Sequence, residues 1–522
     1  MKVLLFSMPN VGPRFPPHVW SPPNLGLASL AANAPDHDVI CADLLVRRKD
    51  VPGAVREAMA KTSPRLVGLT SMSFQYHTVL RIADLVREID PTVPIILGGY
   101  HATLLYEELT ASERGSRTFD YMMRGEGETA FRMLLAALES GGDLATVPSL
   151  SWKKDGAWVH NERGPLEDLA TIRIPKRSAR LWQGEYFTRA AQRKRFLKVL
   201  LTNGARQPLD FVETSRGCTM PCTFCSMRHM YGRTFRTYDI DRVMDDIADS
   251  KTYGTEWIAF ADDNITLDVP RFERLCDAIV AAGHNDVSYM VQTSAAGVAS
   301  SARLAKKMSR ANIRIAFLGI ENVSDRNLAH LKKGNILDQA RTAIRYLHEN
   351  DILIVGGIIL GNPDDTVTDV IQNYDFLEKE KIEFFGDQIA QPYPKTEMRE
   401  ELLRQGLVTR PYDYRRYDGF WANVRSKHLT SDQLQFLMWK HHKRGTYYDR
   451  TPTFRRAYPI YTIIRRLIAK PIKRFLKRLR DWNRTEAEAF RAQMHRHAQL
   501  NNFWDDEPPE DPFAPPSPPP TQ

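Results

Sequence analysis

The chain has 522 residues, 43% hydrophobic and 26% charged, which excludes disorder, collagen and a disulfide-stapled miniprotein for most of its length. That length predicts two or three domains, and no run is long and apolar enough to predict a membrane-spanning helix. The net charge of +9 sits in one place: ten Lys or Arg and no acid lie between Arg455 and Arg480, leaving 62 basic against 63 acidic residues elsewhere.

The N-terminal apolar run stops at Ser7 and Pro9, too soon for a signal peptide, and reads as the first strand of a cytoplasmic protein. Strand-like runs follow at 2–7, 37–42, 66–70, 94–97 and 121–124, with helices at 25–32, 51–61, 78–89 and 128–139. Alternation of this kind predicts a doubly wound α/β domain with a parallel sheet over 1–143, whose ligands lie beyond the strand C-termini. Those ends carry Pro9 and Asn10, Ser71, Ser73 and Phe74, then Gly98, Gly99 and His101, and finally Gly125, Glu126 and Gly127. Glycines there permit close backbone approach to a large ligand. His101 is also suited to capping the next helix.

Residues 144–207 read as an irregular basic connector with a small hairpin at 150–160. A second strand–helix series predicts strands at 211–214, 257–261, 289–293, 313–318, 352–359 and 385–390, a partial (β/α)6 barrel within 208–397. Residues 398–454 read as helical, 455–482 as a basic amphipathic helix, and 483–522 as a helix followed by a disordered Pro-rich acidic tail.

Five cysteines, three of them within eight residues, make a poor disulfide framework and a good metal-binding loop for a reducing compartment. Cys218, Cys222 and Cys225 have C-x3-C-x2-C spacing after a strand. Three thiolates can bind three irons of a [4Fe–4S] cluster and leave the fourth open to a chelating ligand. The alternative is a structural zinc site with His229 as fourth ligand. Cys41 and Cys276 read as packing residues.

This loop, with Phe224 before its third cysteine, resembles the radical S-adenosyl-L-methionine (SAM) superfamily. The resemblance continues through Asp262-Asp263-Asn264, Gly319-Ile320-Glu321-Asn322, Leu331-Lys332-Lys333-Gly334, the 357–366 segment with Asp-Asp-Thr for the usual Gly-Glu-Thr, and Gln391–Thr396. The first domain resembles the cobalamin (B12)-binding domain of the class B methyltransferase branch. It implies cobalamin contacts at the strand-end residues named above, with the 13–23 loop. It departs from the Asp-x-His-x-x-Gly motif, reading Asp43-x-Leu45-x-x-Arg48, so no histidine from that motif reaches cobalt.

By resemblance, Phe224 packs near the adenine, Asp262 or Asp263 contacts SAM, and Glu321 accepts hydrogen bonds from ribose hydroxyls. The aspartates are equally suited to a helix N-cap. Tyr100, Tyr231 and Tyr393 are candidates for the substrate pocket, and Arg216 and Arg233 for offsetting the charge of the iron–sulfur site.

The implied activity is methylation of an unactivated carbon. A 5′-deoxyadenosyl radical removes hydrogen, methylcobalamin supplies the methyl group, and a second SAM regenerates it. An oxidative cyclase or ring-rearranging enzyme with the same cofactors is the nearest alternative, and a non-catalytic cobalamin-responsive module with a zinc site lies in another class. Expected partners are a small substrate of apolar character, an electron donor such as flavodoxin or ferredoxin, and an anionic membrane surface met by 455–480. Peripheral attachment to the inner face of the membrane would follow. Nucleic acid is not expected, since no further RNA-binding domain is visible.

Overall fold

The computed structural model describes residues 1–12, 23–186, 208–445, 451–464, 471, 485–508 and 510–514. The first sheet contains β1 (Lys2–Ser7), β2 (Asp38–Asp43), β3 (Leu66–Thr70), β4 (Ile95–Gly98), β5 (Tyr121–Met123), β6 (Leu150–Lys154) and β7 (Ala157–His160), in the order β2-β1-β3-β4-β5-β6-β7. The first five strands are parallel. Alternate side chains serve opposite faces. Leu4 and Phe6 of β1 join a core under helices Val51–Thr62 and Tyr76–Ile89, while Val3 and Leu5 face helices Leu25–Asn33 and Glu128–Ser140.

Three expectations need correction here. The hairpin read as part of a connector is β6–β7, and it extends the sheet antiparallel from β5. A helix at Tyr100–Ala111 was not expected; it carries a non-helical kink at Leu105 that blurs its periodicity. The connector is also more than a tether: Arg177 is fully buried and pairs with Asp210 at 2.8 Å, Asp246 at 2.7 Å and Asp249 at 2.8 Å.

The second sheet holds β8 (Leu209–Val212), β11 (Trp257–Phe260), β12 (Ser288–Ser294), β13 (Ile313–Glu321), β14 (Leu353–Leu360) and β15 (Phe384–Ile389), all parallel, in the order β15-β14-β13-β12-β11-β8. Between β8 and β11 a two-residue ladder pairs β9 (Ser215–Arg216) with β10 (Arg236–Thr237) and closes the base of the cysteine loop. The helices on the outer surface contribute residues such as Phe272, Leu304, Ile344 and Leu377 to one continuous core.

Beyond the second sheet, helices Glu397–Arg404 and Ser431–His442 flank an irregular stretch rather than a continuous helical region. The Pro-rich stretch is not loose as far as Ala514. Asp506 pairs with Arg81, Glu507 with His77 and Glu510 with Arg416, and Trp504 is buried. Phe513 packs on Phe490. The basic segment is described only at 455–464 and residue 471, where it holds the ends of helices Pro452–Ala457 and Pro459–Ile464; the rest of it, and 515–522, lie outside the described residues. No helix of the described residues is long and apolar enough to cross a membrane.

Candidate active site between the two sheets

The cysteine loop begins at Gly217, whose φ of +87° no ordinary side chain favours. A Cβ at this position would also run into the Thr234 carbonyl oxygen. Cys218 and Cys225 are half-buried and Cys222 is buried, all as free thiols. Burial raises all three thiols, Cys225 to about 12, and Lys333 beside Cys222 opposes this. The backbone N–H groups of Met220 and Met227 act the other way, favouring the thiolates of Cys218 and Cys225. Such thiols ionise when a cation binds them, so metal loading must release protons.

These residues fit an iron–sulfur cluster better than zinc. His229 Nε2 is already engaged with the Lys395 carbonyl at 2.7 Å. Among the described residues, no three His, Cys, Asp or Glu groups converge on a single ion. Three thiolates that each bind a different iron do not need to.

The neighbouring strand ends sort the expected SAM residues. Phe224 lies under Lys333, whose Nζ is 5.8 Å from the ring centroid. Lys333 pairs at 2.9 Å with Glu321, which ends β13 with φ +63° beside a slip in register against β14. Asp263 accepts from the Gly217 N–H at 3.1 Å, and burial, with Asp262 and Glu213 nearby, lifts its carboxyl to about 7. Asp262 is fully buried instead. It accepts from Thr214 N at 3.1 Å, Thr214 Oγ1 at 2.7 Å and Ser215 Oγ, and burial raises it to about 6. Its oxygens are committed to the strand that launches the loop.

Both sheets end on one cavity of about 860 Å³. Gly98, Gly99, Gly125, Glu126 and Gly127 line it from the first domain, together with Met72, which is 44% exposed. A Cβ on Gly98 would meet open space, so a flat ligand can approach this backbone closely. Below the strand ends the cavity continues as an apolar slot lined by Leu5, Leu27, Leu30, Gly68, Ile96 and Phe131. That slot would suit an apolar part of a cobalamin. A mid-strand glycine such as Gly68 was the available sequence signal for it. On the barrel side Phe211, Met290, Phe317, Gln292 and Gln388 face the cavity.

Tyr100 and Tyr231 line this space, and the Tyr100 hydroxyl reaches Met227 Sδ at 2.5 Å. Tyr393 does not; it lies against Tyr417, with ring centroids 6.3 Å apart. Pro9, Asn10, Ser71, Ser73, Phe74 and His101 are not among the lining residues either. His101 is fully buried, 4.3 Å from the Tyr76 ring and 5.2 Å from that of Tyr414, and desolvation lowers its imidazole to about 3. Its Nδ1 lies 3.3 Å from Ser73 Oγ. The Glu126 carboxylate is taken by Arg216 at 3.0 Å and Arg236 at 2.9 Å.

Family models agree with this division of the chain. The B12 binding domain model matches residues 21–135 and the Radical SAM superfamily model residues 212–377. The chain belongs to the cobalamin-binding radical SAM enzymes. Its cofactors are a [4Fe–4S] cluster, SAM and cobalamin. The enzyme is 29% identical over 452 residues to an uncharacterized methyltransferase of Pyrococcus horikoshii, covering 84% of this chain and 91% of that one. It is 25% identical over 403 residues to the anaerobic magnesium-protoporphyrin IX monomethyl ester cyclase of Synechocystis, covering 75% and 74%. Its fold matches the radical SAM methyltransferase TsrM of Kitasatospora setae, solved with cobalamin and a [4Fe–4S] cluster. The TM-score is 0.66 at 18% identity, over 84% of this chain and 91% of that one.

Proposed function

We propose that the enzyme is a C-methyltransferase acting on an unactivated carbon of a small substrate with apolar character. One observation carries this reading: Arg216, which precedes the cysteine loop, and Asp263, which accepts from the loop's Gly217 N–H, line the same cavity as the glycine-rich strand ends of the B12 domain. When bound, the cluster with SAM supplies a carbon-centred radical and cobalamin supplies the methyl group. The chain does the rest. Cys218, Cys222 and Cys225 hold the cluster, and Glu321, Lys333, Asp263 and Phe224 surround the place where SAM would meet it. Gly98, Gly99, Gly125 and Gly127 let a corrin lie on backbone. Phe211, Met290 and Phe317 give the barrel wall its apolar face and keep water from a reactive radical.

The test is anaerobic reconstitution followed by incubation with [methyl-²H₃]SAM and cell extract. An intact trideuteromethyl group in a product, formed together with 5′-deoxyadenosine, is the expected result. 5′-Deoxyadenosine formed with an unlabelled, oxidised product would instead favour the cyclase reading that the Synechocystis relative suggests.

Two partner assignments accompany this reading. The reductant is a one-electron carrier such as flavodoxin or ferredoxin. Residues 455–480 attach the enzyme to the anionic inner face of the membrane, through apolar positions at three- and four-residue steps and ten cations without an acid. Liposome co-sedimentation should require anionic lipid, weaken with salt, and vanish in a chain ending at Thr451. Equal binding by both chains, or by neither, removes the membrane assignment.

A further inference from the structure

The inner wall of the second sheet is apolar in one layer and amide-bearing in the next. On β12, Val291 and Thr293 are buried on the helix-covered side, so Gln292 between them points inward, where it is exposed to the cavity. On β15, Asp387 and Ile389 take the outer side, with Asp387 pairing with His442 at 2.7 Å, and Gln388 points inward in the same way. Each glutamine stands two residues beyond an apolar position of its own strand: Met290 on β12, and on β15 Gly386, which lies under the Phe317 ring. A Cβ on Gly386 would come within 3.2 Å of that ring and one on Gly357 within 2.6 Å, so Phe317 lies across two neighbouring strands as a flat floor. Two residues of strand rise about 7 Å, which sets the amides above this floor, toward the open end of the cavity.

The far end is closed. Phe454, 3% exposed, clusters with Ile315 and Leu353, and Met290 and Phe384 pack against it. The Phe384 and Phe454 rings are 6.5 Å apart. Helix Pro452–Ala457 thus plugs the barrel behind Met290, and an apolar group that enters from the strand ends stops there.

The ionic groups along the barrel side of the cavity already have partners. Glu213 accepts from Arg216 at 2.9 Å and from the Tyr238 hydroxyl at 2.8 Å, Arg242 donates to Asp246 at 3.3 Å, and Asp263 accepts from the Gly217 N–H. Among the described residues neither Gln292 nor Gln388 has a hydrogen-bond partner. The Gln388 amide rests against Gly419, whose φ is +82° and where a Cβ would come 3.3 Å from Oε1. A carboxamide both donates and accepts, so it complements a neutral polar group. A charged group would be desolvated here without a counter-ion.

We infer that the substrate is uncharged and amphipathic, with its apolar body on Phe211, Met290 and Phe317 and a neutral group, such as a carboxamide or hydroxyl, held by Gln292 and Gln388. The inference rests on the reading of this cavity as the substrate's place. The two glutamines are specificity-determining residues and take no part in bond making.

The test is ligand-observed NMR titration of the oxidised, fully loaded enzyme with four probes of one shape: benzamide, benzoate, benzamidinium and toluene. Benzamide should bind tightest. Gln292→Leu and Gln388→Leu, which keep the volume, should each weaken benzamide by about 3- to 10-fold and leave toluene unchanged or tighter. Gln388→Glu should move the preference to benzamidinium. Tightest wild-type binding by either ion or by toluene overturns the inference. So does a benzamide preference that survives both leucine substitutions, or failure of all four probes to bind. The titration involves no turnover, so an intact benzamide preference beside absent methyl transfer would contradict the C-methyltransferase reading alone.

Discussion

Arg216 donates to Glu128 at 2.6 Å across the boundary between the two domains, with the side chains only 7% and 6% exposed. Arg216 directly precedes the glycine that opens the cysteine loop, and Glu128 begins the helix that follows the glycine-lined turn after β5. The same guanidinium reaches Glu126 at 3.0 Å and Glu213 at 2.9 Å. A single buried cation therefore fixes the B12-binding strand ends against the root of the cluster loop. Replacing it leaves the buried Glu128 carboxylate without its cation, so Arg216→Leu should lower unfolding stability by about 3–5 kcal/mol in denaturant titrations. Glu128→Gln, which keeps the shape and removes one charge, should cost less.

The same pair sets an acid limit. Burial alone would raise the Glu128 carboxyl, but Arg216 and the Ser29 hydroxyl bring it below the ordinary range. A depressed carboxyl contributes stability above its unfolded pKa and loses it as pH falls through the folded value. His101 acts in the same direction: its lowered imidazole contributes fully above 6.5 and erodes as pH falls toward about 3. Thermal unfolding across pH 7 to 4 should show falling stability, and His101→Gln should flatten the part of the slope that begins near 6.5.

His101 should also be silent toward cobalt. It lies between Tyr76 and Tyr414, away from the cavity, and the Asp43-x-Leu45-x-x-Arg48 stretch offers no imidazole. Electron paramagnetic resonance of the Co(II) form should lack nitrogen splitting from an axial histidine and should look the same in His101→Gln. Imidazole splitting in the wild type would refute this.

Glycine geometry separates the two cofactors. Gly217→Ala places a Cβ into the Thr234 carbonyl at φ +87°, so iron and acid-labile sulfide per chain should fall sharply while cobalamin binding persists. Gly99→Ala puts a Cβ 2.9 Å from the Ser71 backbone at φ +90° and should do the reverse. Each carries a strain of about 1–3 kcal/mol, read by metal analysis and by cobalamin retention on gel filtration.

The strands were legible because buried parallel strands are short apolar runs, and the cluster loop because cysteine spacing is itself the chemistry. What escaped notice depends on direction and distance. No local pattern shows that Asp262 turns inward to Thr214 while Asp263 faces the cavity, or that His101 points into an aromatic cage. Arg177 lies 33 residues from Asp210 and 69 from Asp246, beyond any periodicity. The tail misled through its prolines, although Trp504 and Phe513 within it are the apolar anchors that hold it down. Trp504→Ala should cost about 3–5 kcal/mol, and hydrogen exchange should quicken at the start of the helix Tyr76–Ile89 that this segment covers.

The central claim is that cobalamin and the cluster share one cavity, and magnetic coupling tests it most directly. Enzyme loaded with Co(II) cobalamin and a reduced [4Fe–4S] cluster should give paramagnetic resonance signals broadened relative to samples with either cofactor alone. Gly217→Ala, which loses the cluster, should restore the unbroadened cobalt signal. Identical cobalt spectra with and without the reduced cluster would place the two cofactors apart and contradict the account.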